Sequence, residues 1–459
     1  MSFLKNFQLE KLDITKACEE TPSASLGQEI TSISFISYNE SIFSPSFFIE
    51  IQCVTLKGVF SDLELRGTER ADIEMVFDSG RFDFEGLVVT NMTLDDVTST
   101  SNIFTIKLES QDVINNQKER LYQRYDPNVN ASTHVTNILK NHIKESDDER
   151  LDIEQTANSD GFYGNYWTPY RSIYWLARRA ISKSMSEDGS GTQRVGFLFW
   201  QTYTGYKFKS IDTIIAEGNT KGFQYSQSEI VDPEANNENF HLYNVLAQQN
   251  QNIIKDMNSS RYGERRRFVN LHMLYDSKLD DEAPLSESEL DESQSTLGDN
   301  ENQCLNYDIR ENPSKPSVVV VVDSTMRKDS KTAVFTDGEF NPTKVITQSK
   351  RRYQSLLSHT LRVTVPLNVK LEAGDVITVE TIKSLEGVDK HISGLYLIKD
   401  LKHTVQIKET GVQCTTDLRL VRDSQGEKID SDESSSTTTV EEETTQTITP
   451  DPLTNAYTA

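Results

Sequence analysis

An ordered set of β-type segments occurs twice in this chain, about three hundred residues apart, and constrains its fold more than any other feature. In the first half, Gly67 precedes Ile73-Glu74-Met75-Val76. Phe82-Asp83-Phe84-Glu85-Gly86-Leu87-Val88-Val89-Thr90 follows, and Phe104-Thr105-Ile106-Lys107-Leu108 ends the unit. In the second half, Gly374-Asp375-Val376-Ile377-Thr378-Val379 leads to Gly394-Leu395-Tyr396-Leu397-Ile398-Lys399-Asp400-Leu401, and Cys414-Thr415-Thr416-Asp417-Leu418-Arg419-Leu420 closes it. Each half reads strand, loop, long bent strand, hairpin, final strand. A duplication produces this shared order, and so does convergent β patterning. If it is a duplication, one chain carries two similar barrels. Three chains in a closed ring would then present six similar units, able to face a sixfold partner on one side and a threefold partner on the other.

The rest of residues 30–110 supports strands. Ser46-Phe47-Phe48-Ile49-Glu50-Ile51-Gln52-Cys53-Val54 is rich in aromatic and β-branched residues, Asp78-Ser79-Gly80 supplies turn chemistry, and Arg81 to Gly86 alternates strictly. Several short strands separated by turns read as an antiparallel barrel or sandwich. The pattern changes after Asp126-Pro127. Ser132 is a candidate cap for a helix with Val135, Ile138, Leu139 and Ile143 on one face. Thr168-Pro169 predicts a second helix start, with Ile173, Leu176, Ala177, Ala180 and Ile181 as its apolar face and Arg178 and Arg179 near its end. Val195 to Trp200 and Tyr206 to Ile211 return to strand pattern, Val245 and Leu246 centre a short helix within 240–260, and β character resumes at Ser317–Asp323 and dominates Leu361–Val421.

With 459 residues, 36% hydrophobic and 26% charged, the chain can bury a core and is long enough for two to four domains. The net charge of -24 argues against a free duplex-DNA binder, which needs clustered cations to displace counterions. It is compatible with an acidic surface that DNA passes without adhering. Much of the acidity is local, in the insert 278–302 and in the Ser/Thr/Glu-rich tail after Asp423, both expected to be solvated or disordered. Cys18, Cys53, Cys304 and Cys414 are widely separated, which predicts free thiols rather than a disulfide framework or a cysteine zinc site. Residues 1–20 alternate charged with apolar residues, so no secretion signal is expected. The longest apolar runs, such as Val318–Val322, fall far short of the roughly 18 residues a membrane helix needs, and the chain reads as soluble, with no stable membrane insertion.

Arg352-Tyr353, Leu361-Arg362-Val363-Thr364-Val365-Pro366-Leu367-Asn368, Leu371-Glu372-Ala373-Gly374-Asp375-Val376-Ile377, Gly394-Leu395-Tyr396-Leu397-Ile398, His403 and Leu418-Arg419-Leu420 together resemble the closing barrel of contractile-tail hub proteins. That group includes the baseplate hub subunit of T-even-type phages and the hub part of type VI secretion spike proteins. Trp167-Thr168 to Trp200-Gln201 resembles the middle of the phage subunit, as does the Ser/Thr/Glu-rich end after a final barrel strand. The acidic insert at 278–302 departs from the family pattern.

The resemblance implies a mainly β fold with an α+β insertion: two similar tube-protein-like antiparallel β-barrels plus a smaller helical or mixed domain. Its boundaries would be 1–118 for the first barrel, 119–200 for the middle domain and 201–425 for the second barrel. An insertion at about 235–315 would pack with the middle domain, and 426–459 would be a disordered acidic tail. It further implies a homotrimeric ring in the virion tail baseplate, assembled in the host cytoplasm. Its partners would be a trimeric spike protein, a tail tube or tube-initiator protein and baseplate wedge proteins, and phage DNA would pass through the channel without specific binding. A type VI secretion or phage-like injection hub shares these implications.

The sequence contains no P-loop, H-E-x-x-H or G-x-S-x-G elbow, and Gly189-Ser190-Gly191 lacks the third glycine of a dinucleotide site. His134 and His142 are too far apart to hold one metal alone, and among 71 acidic residues no glycosidase pair can be nominated. The expectation is no catalytic residue, no metal and no cofactor. A tail-associated cell-wall hydrolase and a receptor- or sugar-binding β protein remain as rivals. Two basic clusters, Arg265-Arg266-Arg267 and Lys350-Arg351-Arg352, are either solvated loops or charge-paired contacts to an acidic neighbour.

Overall fold

A computed structural model of the chain describes residues 7–16, 24–25, 32–56, 67, 69–97, 101–183, 194–227, 239–249, 254, 266–269, 297, 318–321, 342–382, 389, 391–408 and 411–424. The fold is mainly β. A 14-stranded, largely antiparallel sheet dominates it, and the few helices are short.

The first unit contains β1 (Phe7–Thr15), the short β2 (Ala24–Ser25), β3 (Ser32–Ser41), β4 (Phe48–Leu56), β5 (Arg70–Phe77), β6 (Gly80–Val97) and β7 (Ser101–Glu109). Its strand order is β3-β4-β7-β6-β5-β1. Alternation in β4 puts Ile49, Ile51 and Cys53 inside, and in β7 it puts Phe104, Ile106 and Leu108 inside.

A mixed unit follows. It comprises α1 (Gln111–Lys118), β8 (Arg124–Tyr125), α2 (Ala131–Ile138), β9 (Leu151–Ile153), β10 (Phe162–Tyr163), α3 (Pro169–Ala177), β11 (Phe197–Thr202), β12 (Gly205–Ser210) and α4 (Ile211–Glu217). Thr168 and Pro169 open α3 as the sequence predicts, but the helix stops at Ala177, and the buried Ala180 and Ile181 lie beyond its end. The expected apolar face of α2, Val135 and Ile138, is buried and continues through Leu139 and Ile143. Its N-cap is Asn130, not Ser132. Ser132 lies buried inside the first turn and exchanges hydrogen bonds with Thr156: Ser132 N–H to Thr156 Oγ1 at 3.0 Å, and Thr156 N–H to Ser132 Oγ at 3.2 Å.

The second unit contains β13 (Gln224–Ser226), β14 (Asn239–His241) and β15 (Asn244–Gln249). A separate parallel pair is formed by β16 (Arg266–Val269) and β17 (Val318–Val321). Then come α5 (Pro342–Leu356), β18 (His359–Pro366), β19 (Val376–Glu380), β20 (Gly394–Lys408) and β21 (Gly411–Arg422). Residues 244–249 are strand where helical pattern was expected. Val245 and Leu246 pair with Val363 and Arg362 of β18, so a strand partner overrides the local preference. Residues 239–249 thus belong to this unit's sheet and not to an insertion packed on the middle domain. The sheet closes on itself: β13 pairs with both β19 and β14, and Tyr243, between β14 and β15, donates its N–H to Thr364 O of β18 at 2.9 Å. The acidic insert (apart from Leu297) and the tail lie outside the described residues.

Strand by strand, the two units correspond. The path β3-β4-β7-β6-β5-β1 is matched by β15-β18-β21-β20-β19-β13. A bulge anchors the match. Register shifts between Val89 and Asn91 where β6 meets β7, and between Ile398 and Asp400 where β20 meets β21. Counted from that bulge, Ile49, Ile51 and Cys53 fall on Leu361, Val363 and Val365, all buried. The units differ at one edge: β1 runs antiparallel to β5, and β13 runs parallel to β19.

One apolar core spans both units, from Leu12 to Leu420. They join where β20 leaves β19. Residues 394–397 pair with β19, and on the same side Asp400–Gln406 pair antiparallel with Ser41–Phe35 of β3.

Gly374 shows how tightly the second unit meets the mixed one. Its φ of +97° favours glycine, and an added Cβ would lie 2.5 Å from Cζ2 of Trp200, whose indole N–H donates to Ala373 O at 2.8 Å. Gly374→Ala is therefore expected to cost on the order of 3 kcal/mol through backbone strain and ring displacement, read as a lower urea midpoint. An unchanged midpoint would contradict this packing.

Candidate assembly interface

Two buried polar clusters and a strand seam lie where the units meet. The first cluster centres on Arg352. Sequence pattern makes it a candidate contact to a neighbour, but α5 carries it inward, where it is 1% exposed. Its Nη2 reaches Asp212 Oδ1 of α4 at 3.0 Å, and its Nη1 reaches Asp423 Oδ2, just past β21, at 2.7 Å. Asp423 Oδ1 also accepts the Leu297 N–H at 3.0 Å. Burial works against the guanidinium charge, but the two carboxylates outweigh it and hold the pKa above the ordinary arginine value. Arg352 therefore ties three elements of its own chain together.

Lys350 and Arg351 lie half-buried on the same helix. Arg266 and Arg267 are the first residues of β16, paired with Val318 and Val319, and Arg265 lies outside the described residues. The two clusters thus stand on separate elements, α5 and β16.

The second cluster centres on Glu40 of β3, a residue the sequence reading does not single out. Its carboxylate is buried at the meeting of all three units. It accepts the N–H of Tyr203, in the β11–β12 turn, at 2.9 Å and the N–H of Ala373 at 2.8 Å, and Tyr38 donates its hydroxyl. Burial pushes the Glu40 pKa up to about 7, although these three donors pull it down. Nearby, Lys207 Nζ lies 2.6 Å from Glu372 Oε2, and Lys221 Nζ lies 2.8 Å from Asp375 Oδ2.

Tyr203 also sets its ring edge-on against Phe82 and Phe84, at 5.1 and 5.0 Å, so the hairpin tip is keyed into the first unit. His403 of β20 stacks near Tyr38 at 5.9 Å and shares a 2.7 Å hydrogen bond with Thr416 Oγ1. Burial lowers its pKa to about 3, so it packs as a neutral ring. Cys53 and Cys414 are buried and neither is in a disulfide, and burial pushes the Cys53 pKa up to about 12.

Among the described residues, no three His, Cys, Asp or Glu side chains come together as a metal site, and no helix is long and apolar enough to cross a membrane.

No family model and no curated protein matches the chain. Its structural neighbours are phage tail and baseplate proteins and type VI secretion components. The prophage MuSo2 43 kDa tail protein from Shewanella oneidensis is similar at a TM-score of 0.49 and 8% identity, covering 90% of this chain and 98% of that one. A tail protein from Neisseria meningitidis MC58 is similar at 0.48 and 9%, covering 91% and 97%. An E. coli type VI secretion component is similar at 0.43 and 9%, covering 90% and 77%.

The two clusters make separate predictions. Arg352→Met should cost about 3–5 kcal/mol, because it strands two buried carboxylates, while Arg351→Met should cost under about 1 kcal/mol. Equal denaturation midpoints for the two variants would contradict the buried ion pairs. Because the folded-state pKa of Glu40 lies above the unfolded value of 4.5, the folded chain holds the extra proton. Stability should fall by about 3 kcal/mol as pH rises from about 4.5 through about 7 and then level off. Unfolding titrations across that window check this, and Glu40→Gln should flatten the slope.

Proposed function

We propose that the chain is a structural subunit of a contractile-tail baseplate, a hub that forms a homotrimeric ring and adapts the sixfold tail tube to the threefold spike. The observation that carries this reading is the strand-by-strand equivalence of the two sheet units, down to the bulge at Thr90 and Lys399. One chain offers two near-equivalent faces, so three chains offer six to one partner while keeping threefold symmetry for another. The family resemblance of the second-unit segments points the same way. The buried clusters at Arg352 and Glu40 suit an axial load, since they lock the mixed unit to both sheets.

In this reading the partners are a trimeric spike protein, a tail tube or tube-initiator protein and surrounding wedge proteins. The site is the virion baseplate, and DNA passes through an acidic lumen with little adhesion. The role is non-enzymatic. A type VI secretion or phage-like injection hub would use the same geometry, and packaged DNA distinguishes the settings.

Native mass spectrometry of the purified chain should give three times the mass of one chain. Reversing the charges of Arg265, Arg266 and Arg267 should weaken binding to the tube or spike partner by tenfold or more, on the order of 1.4 kcal/mol. A monomer or an even-numbered assembly would overturn the ring, and unchanged binding would remove those arginines from the interface.

A further inference from the structure

The correspondence between the units also locates the contact between copies of the chain. Within one chain, β3 occupies the side of β20 that β19 vacates, and the pair runs antiparallel from Asp400–Ser41 to Gln406–Phe35. The counterpart of β20 is β6, and the counterpart of β3 is β15. β6 pairs with β5 only as far as Val88, so from Asn91 onward its only strand partner among the described residues is β7. β15 likewise has β18 as its only described strand partner. Among the described residues, each therefore presents one backbone edge at the position where its counterpart is paired.

The side chains change accordingly. Counted from the shared bulge, Leu94 falls on His403, and counted across β4 and β18, Leu246 falls on Ser37. His403 is 2% exposed and Ser37 0%, but Leu94 is 47% exposed and Leu246 50%. Large apolar residues thus lie in the open on the same two segments whose counterparts bury each other. An open strand edge bearing apolar side chains is a template for another strand. The strand that fits the β6 edge, by the example built into the same chain, is β15.

We infer that β6 of one copy pairs antiparallel with β15 of a second copy, repeating the β20–β3 seam and making the sheet continuous from chain to chain. This rests on the ring reading above and deepens it by naming the edges. Transferring the register places Met92 opposite Gln249, Thr93 opposite Gln248 and Leu94 opposite Ala247, with Leu246 facing the second β6 irregularity, between Leu94 and Asp96. Each chain has one edge of each kind, so the contact is head-to-tail and ends only by closing into a ring.

The test is the full-length Leu94→Cys/Ala247→Cys double variant. Directly opposed antiparallel residues have Cα atoms about 4.5–5.5 Å apart, within disulfide reach. Lys402→Cys/Asn39→Cys, across the intrachain seam, is the positive control and should close within one chain. Under mild oxidation the Leu94/Ala247 variant should form a covalent ladder ending at the native chain number, with neither single variant exceeding the parent. Leu246→Lys, at an exposed site, should leave the melting temperature of the dissociated chain unchanged and weaken self-association tenfold or more. An oligomer that neither cross-links nor responds to Leu246→Lys rejects this seam and leaves the ring standing. A chain that stays monomeric at all concentrations rejects both.

Discussion

Strand β20 has β21 along one side for nearly its whole length, and on its other side β19 and then β3. Handing one edge to two partners in succession is what joins the halves of the molecule. Pairing to β3 leaves no open edge between the units, and the apolar residues of both sheets merge into one core. A core shared in this way makes the two sheets one mechanical body, because separating them exposes apolar area and breaks a run of backbone hydrogen bonds together.

The mixed unit is fastened to that body by polar groups that cannot be withdrawn cheaply. Glu40 is bonded from three directions by residues of all three units, and Arg352 bridges carboxylates from α4 and the end of β21. Buried polar groups of this kind contribute modest net stability when their partners are in place but are costly to leave unpaired, so they favour one arrangement of the units over alternatives. The hairpin tip at Tyr203 adds shape to that choice, with its ring set edge-on against Phe82 and Phe84.

Much of the sheet was legible in the sequence because strands have period two and their turns have chemistry. The segments Ile73–Val76, Phe82–Thr90 and Phe104–Leu108, and their partners in the second half, fall on β5, β6 and β7 and on β19, β20 and β21. The sequence around Val245 reads as helix because a short apolar run carries no decisive period, and only the long-range partner β18 makes it strand. The inward turn of Arg352 was hidden for a similar reason. A run of Lys350, Arg351 and Arg352 looks solvated until Asp212 and Asp423, remote in sequence, arrive beside its last member. Glu40 gave no signal at all, because one acidic residue at the end of a strand is ordinary until three donors converge on it.

The proposed hub requires the two sheet units to be equivalent and to repeat around one axis. A three-dimensional electron cryo-microscopy reconstruction of the purified assembly, with no symmetry imposed, tests it most directly. The expected particle is a ring that is nearly sixfold at low resolution and resolves into threefold at high resolution, around an open channel. A particle in which the two sheets lie at different radii, or which has no axial hole, would contradict it.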